Sequence, residues 1–232
     1  MKKANMKKLR ILCLHGYHGN AVALRSQMRA LTESAGAPAE FVHVDAPSLQ
    51  HGDHGWWHAQ RGAAAATGDP GVAASPARYQ GWSRTRDRVV SLFHRAGPFD
   101  GIFGFSQGAA LAGLLVGLRA PDGLPGPEKP LAFGFAIMVG GFPASDPELA
   151  RFYEDTPSYC LPSLHILGSS DRIVAPESSR RLAAHFPGAI VLEHDAGHII
   201  AATHEVSTRF AAFLRQQAET TPPACARKAT GM

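Results

Sequence analysis

The stretch Gly104-Phe105-Ser106-Gln107-Gly108 brings together the features that activated-serine chemistry requires. Glycines two residues before and two after the serine allow a tight turn, because side chains there would collide with neighbouring main chain. An apolar, strand-like run over residues 101–105 leads in and a helical pattern leads out, so the hydroxyl of Ser106 would stand at the head of a helix. That head carries partial positive charge and unpaired N–H groups, which favour an anion developing on an attacked carbonyl. A serine hydroxyl is a poor nucleophile until a base takes its proton, so a histidine must reach it in space.

In the strand–turn–helix arrangement the order along the chain is Ser, then Asp or Glu, then His. Of the 12 histidines, His198 fits best: it follows the last apolar run in Asp195-Ala196-Gly197-His198, where Gly197 lets the loop turn the imidazole towards the sheet. His194 belongs to the end of that run, His204 to the final helical pattern and His185 to the helix before the run, where structural or surface roles are expected. The acid should follow the run before last, and Asp171 does so in Gly168-Ser169-Ser170-Asp171-Arg172. Its task would be to hold the imidazole tautomer and stabilise the imidazolium. Asp195 stands too close to His198 in the chain to approach the ring from behind without strain, and Asp146 and Asp155 read as solvated turn residues.

Two main-chain donors are needed for the oxyanion. The N–H of Gln107 is one, and the loop His15-Gly16-Tyr17-His18-Gly19 offers the N–H of Tyr17 as the other, with His15 and His18 shaping the loop. His51, His54 and His58 include an H-x-x-x-H spacing, but Gly52 and Gly55 argue against the helix that would align a metal pair and no third ligand is evident. Neither a metal nor a cofactor is expected. Trp56, Trp57 and Phe142 have two readings, as walls of an apolar acyl or alcohol pocket or as packing of long loops on a sheet.

To position these groups the chain must place several loops at one edge. Runs over 10–14, 40–44, 101–105, 133–139, 164–167 and 190–193 are mostly apolar throughout, as expected for strands covered on both faces. Helical patterns alternate with them: 21–35 between Asn20 and Gly36, a stripe of Trp82, Val89 and Phe93, an apolar stretch over 107–120, one opening at Pro176, and a last stripe of Val206, Phe210, Phe213 and Leu214. Alternation of this kind predicts a doubly wound, mostly parallel sheet of about six strands in one domain over residues 9–217, and the serine turn between strand and helix makes the expectation an α/β-hydrolase fold. Ligands of such sheets bind beyond the carboxyl ends of the strands, where Ser106, Asp171, His198 and the Tyr17 loop fall.

The chain of 232 residues is 45% hydrophobic and 18% charged, an ordinary globular composition. Its net charge of +4 owes much to a basic extension over residues 1–8 and to Arg227 and Lys228. The body is nearly balanced, so nucleic acid is not implied. The apolar stretch near the start is too short for a signal peptide, and no segment reaches the roughly 18 apolar residues of a membrane span. Cys13, Cys160 and Cys225 form neither metal pairs nor a dense disulfide framework, so a reducing, cytoplasmic setting is expected. The segment 46–80 is long for a connection, and residues 218–232, with Pro222 and Pro223, read as a tail without fixed structure.

Taken together, ILCLHGYHGN, the tryptophan pair, GPFDGIFGFSQGAALAGLL and HILGSSDRIV followed by HDAGH resemble the FSH-type serine hydrolases over roughly residues 9–213. The resemblance implies a lidless or lightly covered esterase or thioesterase that acts on a small-molecule ester or thioester through the same three residues. The stretch 62–76 does not match that pattern. Amidase chemistry on the same residues remains open at this point, as does a non-catalytic binding module that keeps the fold.

Overall fold

The computed structural model describes residues 7–36, 39–47, 54–60 and 77–219. Six parallel strands form one sheet in the order β2-β1-β5-β6-β7-β8: β1 (Leu9–Leu14), β2 (Ala39–Val44), β5 (Gly101–Phe105), β6 (Phe135–Val139), β7 (Ser163–Gly168) and β8 (Ile190–His194). Two short strands inside the long connection, β3 (His58–Gln60) and β4 (Arg78–Gln80), pair antiparallel as a separate ribbon. Residues 48–53 and 61–76 of that connection, the stretch 62–76 among them, and the tail beyond Glu219 lie outside the described residues.

Strand residues alternate between two cores. Leu12, Leu14, Ile102, Ala136 and Met138 face one side, where they meet α3 (Gln107–Gly117), Val89 of α2 (Trp82–Ala96) and Leu182 of α6 (Pro176–Ala183). Ile11, Cys13, Phe103, Ile137 and Val139 face the other, against Leu24, Met28 and Leu31 of α1 (Ala21–Ala35) and Val206, Phe210 and Leu214 of α7 (His204–Glu219). The period of two along each strand thus fills both faces, which is why the runs look apolar throughout. Helix α1 is bounded as its caps dictate: Asn20 Oδ1 accepts from the Ala23 N–H at 2.8 Å, and Gly36 takes φ 55°. None of the helices among the described residues is long and apolar enough to cross a membrane.

Three boundaries differ from expectation by two residues or more. Helix α3 stops at Gly117 rather than continuing to residue 120, because Leu118 to Ala120 leave the helix to pair with Leu131, the Ala120 N–H donating to the Leu131 carbonyl at 2.8 Å. Strand β6 begins at Phe135 rather than at residue 133, since the Gly134 N–H turns away to the Asp100 carbonyl. Ala218 and Glu219 belong to α7, not to the tail, and Ala218 packs into the second core. Asp146 is also not a solvated turn residue: it is buried, caps the short helix α4 (Pro147–Ala150) and accepts from the Tyr79 N–H at 2.8 Å. Asp155 is held by Lys129 and by the Ser158 hydroxyl.

The interior carries several histidines as neutral groups. Burial pulls His165 on β7 down to about 3, and it lowers His15, His43, His185 and His194 below the ordinary histidine value as well. A depressed folded value means that the unfolded chain binds protons the folded one refuses, so stability is complete above about pH 6.5 and falls as pH drops below it. Chemical denaturation at about pH 6 and about pH 5 should show the loss, and His165→Leu should reduce its slope by up to about 1.4 kcal/mol per pH unit. An unchanged slope would mean that His165 is protonated in the fold.

Candidate active site

Ser106 links β5 to α3 with φ 55° and ψ −118°, a left-handed conformation that side-chain-bearing residues rarely adopt. The surrounding contacts explain how it is held. A Cβ on Gly104 would lie 2.2 Å from the Gly108 carbonyl oxygen, and one on Gly108 would lie 2.1 Å from that of Leu14. The Ser106 N–H donates to the Val139 carbonyl at 2.8 Å, while the Ser106 carbonyl accepts from Ala109 and Ala110 as the first turn of α3 closes. The serine side chain is thereby presented at the carboxyl edge of the sheet.

There the structure brings together the three side chains selected from the sequence. His198 Nε2 lies 2.8 Å from Ser106 Oγ, and His198 Nδ1 lies 2.6 Å from Asp171 Oδ2. A carboxylate only accepts, so the ring proton sits on Nδ1 and Nε2 faces the serine with a lone pair. The Asp171 side chain is almost fully buried. Burial alone would raise its carboxyl, but the Val174 N–H, the His198 ring and the Ile173 N–H hold it below the ordinary carboxylate value. The two N–H groups reach Oδ1 at 2.9 and 2.8 Å, leaving Oδ2 to the imidazole. The loops carrying the acid and the histidine are laced together, Ser169 N–H to the His194 carbonyl at 2.8 Å and Ser170 N–H to the Ala196 carbonyl at 3.3 Å.

Other residues around the site escaped sequence reasoning. Gly140, at φ 58°, leaves space for the imidazole: a Cβ there would stand 3.0 Å from His198 Cε1. A glycine pair directly after a strand was the available signal. The Phe105 ring lies 4.9 Å from the imidazole, and only its place between Gly104 and Ser106 pointed to it. Gln107 contributes more than its N–H, because its side chain bonds to the main chain of Trp56 and Trp57.

The loop after β1 stands against the serine, a Cβ on Gly16 falling 3.2 Å from Ser106 Cβ. His15 is buried and shapes this loop: its Nε2 accepts from the Ala46 N–H at 3.0 Å, so Nδ1 carries the proton and donates to the Gly16 carbonyl at 2.7 Å. Tyr17 is 41% exposed and its hydroxyl meets His58 Nδ1 at 2.8 Å. His54 and His58 therefore belong to a segment tied to this loop, and His51 lies outside the described residues. Trp56 and Trp57 take the packing role, fully buried in the first core with Trp57 stacked on Tyr79, whereas Phe142 is half-buried against the same core.

A parallel sheet with a strained serine between strand and helix, and a histidine and a carboxylate on later strand ends, defines the α/β-hydrolase class. Solved structures agree on the fold: Zea mays acyl-protein thioesterase 2 superposes with TM-score 0.64 at 20% identity, covering 94% of this chain and 97% of that one. Esterase PE8 does so with TM-score 0.63 at 22% identity, covering 91% and 93%. More particularly, the family profile Serine hydrolase (FSH1) matches residues 1–210, and the chain belongs to that family. Esterase OVCA2 of Danio rerio is 33% identical, over 90% of this chain and 97% of its own length, and that of Homo sapiens is 32% identical, over 93% and 100%. The protein is thus an enzyme, a serine hydrolase, and the reading as a non-catalytic module falls away.

The turn itself is testable. Gly108→Ala would drive a methyl group into the Leu14 and His15 carbonyls, at 2.1 and 2.6 Å, and neither is a flexible side chain. Esterase assays and thermal melts of this variant should show activity reduced by at least about 10²-fold together with a lower melting temperature. Retention of both would mean that α3 can retreat from β1 without consequence.

Proposed function

We propose that the protein hydrolyses carboxylic esters by two-step acyl transfer, with Ser106 as nucleophile, His198 as general base and then acid, and Asp171 as the group that orients the imidazole. The observation that carries this reading is one imidazole spanning both partners, 2.8 Å from Ser106 Oγ and 2.6 Å from Asp171 Oδ2. Ser106 Oγ attacks the ester carbonyl as its proton passes to His198 Nε2. The resulting oxyanion takes hydrogen bonds from the N–H groups of Tyr17 and Gln107. His198 returns the proton to the departing alkoxide, leaving an acyl-serine, and then draws a proton from water, which attacks the acyl carbonyl. Collapse releases the acid and restores the hydroxyl.

Tyr17, Ile173 and Ile199 are exposed to 41%, 76% and 52%, and each is close in chain to a residue of the site. Such an apolar rim supports esters with an apolar acyl or alcohol group. Thioesters would react through the same steps, and kinetics on matched ester, thioester and amide substrates rank the three. The cysteine usage supports a cytoplasmic setting, with Cys13 and Cys160 both free thiols.

Three measurements test this reading. A fluorophosphonate probe should label the folded protein and fail to label Ser106→Ala; labelling that survives the substitution identifies another nucleophile. Asp171→Asn retains the acceptor for Ile173 and Val174 but can turn its amide N–H towards the ring, favouring the wrong tautomer, and kcat should fall by about 10³ to 10⁴. A loss below tenfold would remove Asp171 from the mechanism. Ile173→Asp should lower kcat/KM several-fold more for long-chain than for acetyl esters, and an equal effect on both would exclude an apolar rim.

A further inference from the structure

We infer that Trp56 is a positioning residue for the reaction, a buried brace that ties together and orients the two segments supplying the oxyanion donors. The inference rests on the assignment of the Tyr17 and Gln107 N–H groups to the oxyanion and goes on to say what holds them.

The two donors come from separate strand ends, the exits of β1 and β5. Their main chains meet at Gly108 and Gly16, and hydrogen bonds from a third segment bind the donor-bearing residues on either side of that contact. Trp56 touches both. Its indole Nε1–H donates to the His15 carbonyl at 2.7 Å, one peptide before the loop glycine. Its main-chain N–H donates to Gln107 Oε1 at 2.9 Å, and Gln107 Nε2 in turn donates to the Trp57 carbonyl at 2.8 Å. The Thr85 hydroxyl, on α2, donates to the Trp56 carbonyl, so the brace is anchored from behind. All of these groups are buried, and Trp56 itself is fully enclosed. Bonds formed in that environment are costly to lose, because a freed carbonyl or amide finds no water to replace its partner.

The same chain of contacts orients the first donor. His15 packs on the Trp56 indole with ring centroids 5.1 Å apart, and its Nδ1–H holds the Gly16 carbonyl from one side while the Gly19 N–H holds it at 3.0 Å. In a trans peptide the N–H points opposite to the C=O. Fixing the Gly16 carbonyl towards His15 and Gly19 therefore fixes the Tyr17 N–H to point from the opposite edge of the same peptide plane. Trp56 thus acts at two points, on the carbonyl that precedes this peptide and on the side chain of the residue bearing the second donor.

An oxyanion hole gains its effect from donors already placed where charge will develop, so a displaced donor should cost rate more than it costs binding. Trp56→Phe keeps an aromatic ring in the core and deletes the indole donor together with part of the ring volume. We expect kcat to fall by about 10- to 100-fold with KM within about threefold of wild type, and affinity for an arylboronic acid, which forms a tetrahedral adduct on the serine, to fall in parallel with kcat/KM. A packing role alone would lower the melting temperature without that parallel. A folded Trp56→Phe with unchanged kcat and boronate affinity, or one whose kcat falls while boronate affinity holds, overturns the inference. Should that variant not fold, Gln107→Met removes the opposite end of the brace and leaves the Gln107 N–H, and the same paired loss is expected of it; its absence is equally fatal. If Ser106→Ala retains activity the mechanism itself is wrong, whereas an inactive Ser106→Ala beside an unimpaired Trp56→Phe removes only the brace.

Discussion

The head of α3 lies against the exit of β1 so closely that no side chain fits between them. Gly108 touches the Leu14 and His15 carbonyls, Gly104 touches Gly108, and the residue between them is pressed into a left-handed conformation. Strain of this kind persists only where its surroundings over-determine it. Here they do: the Ser106 N–H is bound to β6, its carbonyl to α3, and both cores pack the elements on either side. The sheet order follows the same demand, since β5 must lie between β1, whose loop faces the serine, and β6, whose terminal Gly140 makes space for the imidazole.

Polar groups near this turn are buried in two different ways. Asp171 remains ionised because three donors compensate its removal from water. His15 remains neutral because burial lowers its pKa, and a second ring proton would face the Ala46 N–H. Charge is therefore concentrated on the acid that faces His198, while the neighbouring loop is held by neutral hydrogen bonds that leave the field around the serine undisturbed.

Much of this could be read from residue order. Strands buried on both faces appear as unbroken apolar runs, and placing chemistry at their carboxyl ends singled out Ser106, Asp171 and His198 from the many serines, aspartates and histidines of the chain. What escaped were features set by contacts remote in sequence. The end of α3 depends on a bridge to Leu131, and the start of β6 on an acceptor at Asp100. Asp146 resembles any polar turn residue until the chain at Tyr79 folds over it. Whether Trp56 and Trp57 line a pocket or the core could not be decided from their type, because the partner of the indole N–H is a main-chain carbonyl 41 residues earlier.

The antiparallel ribbon of β3 and β4 bears on how this enzyme can diversify. Pairing of His58 with Gln80 and of Gln60 with Arg78 holds the two ends of the intervening chain a few ångströms apart, and the Tyr17–His58 bond pins the ribbon's first residue. Lengthening a connection whose ends are already clamped adds little closure entropy, about 0.6 kcal/mol for each doubling. The number of residues between the two strands is thus nearly neutral for stability. What the ribbon must preserve is the clamp itself, His58 held by Tyr17 on one side and paired with Gln80 on the other.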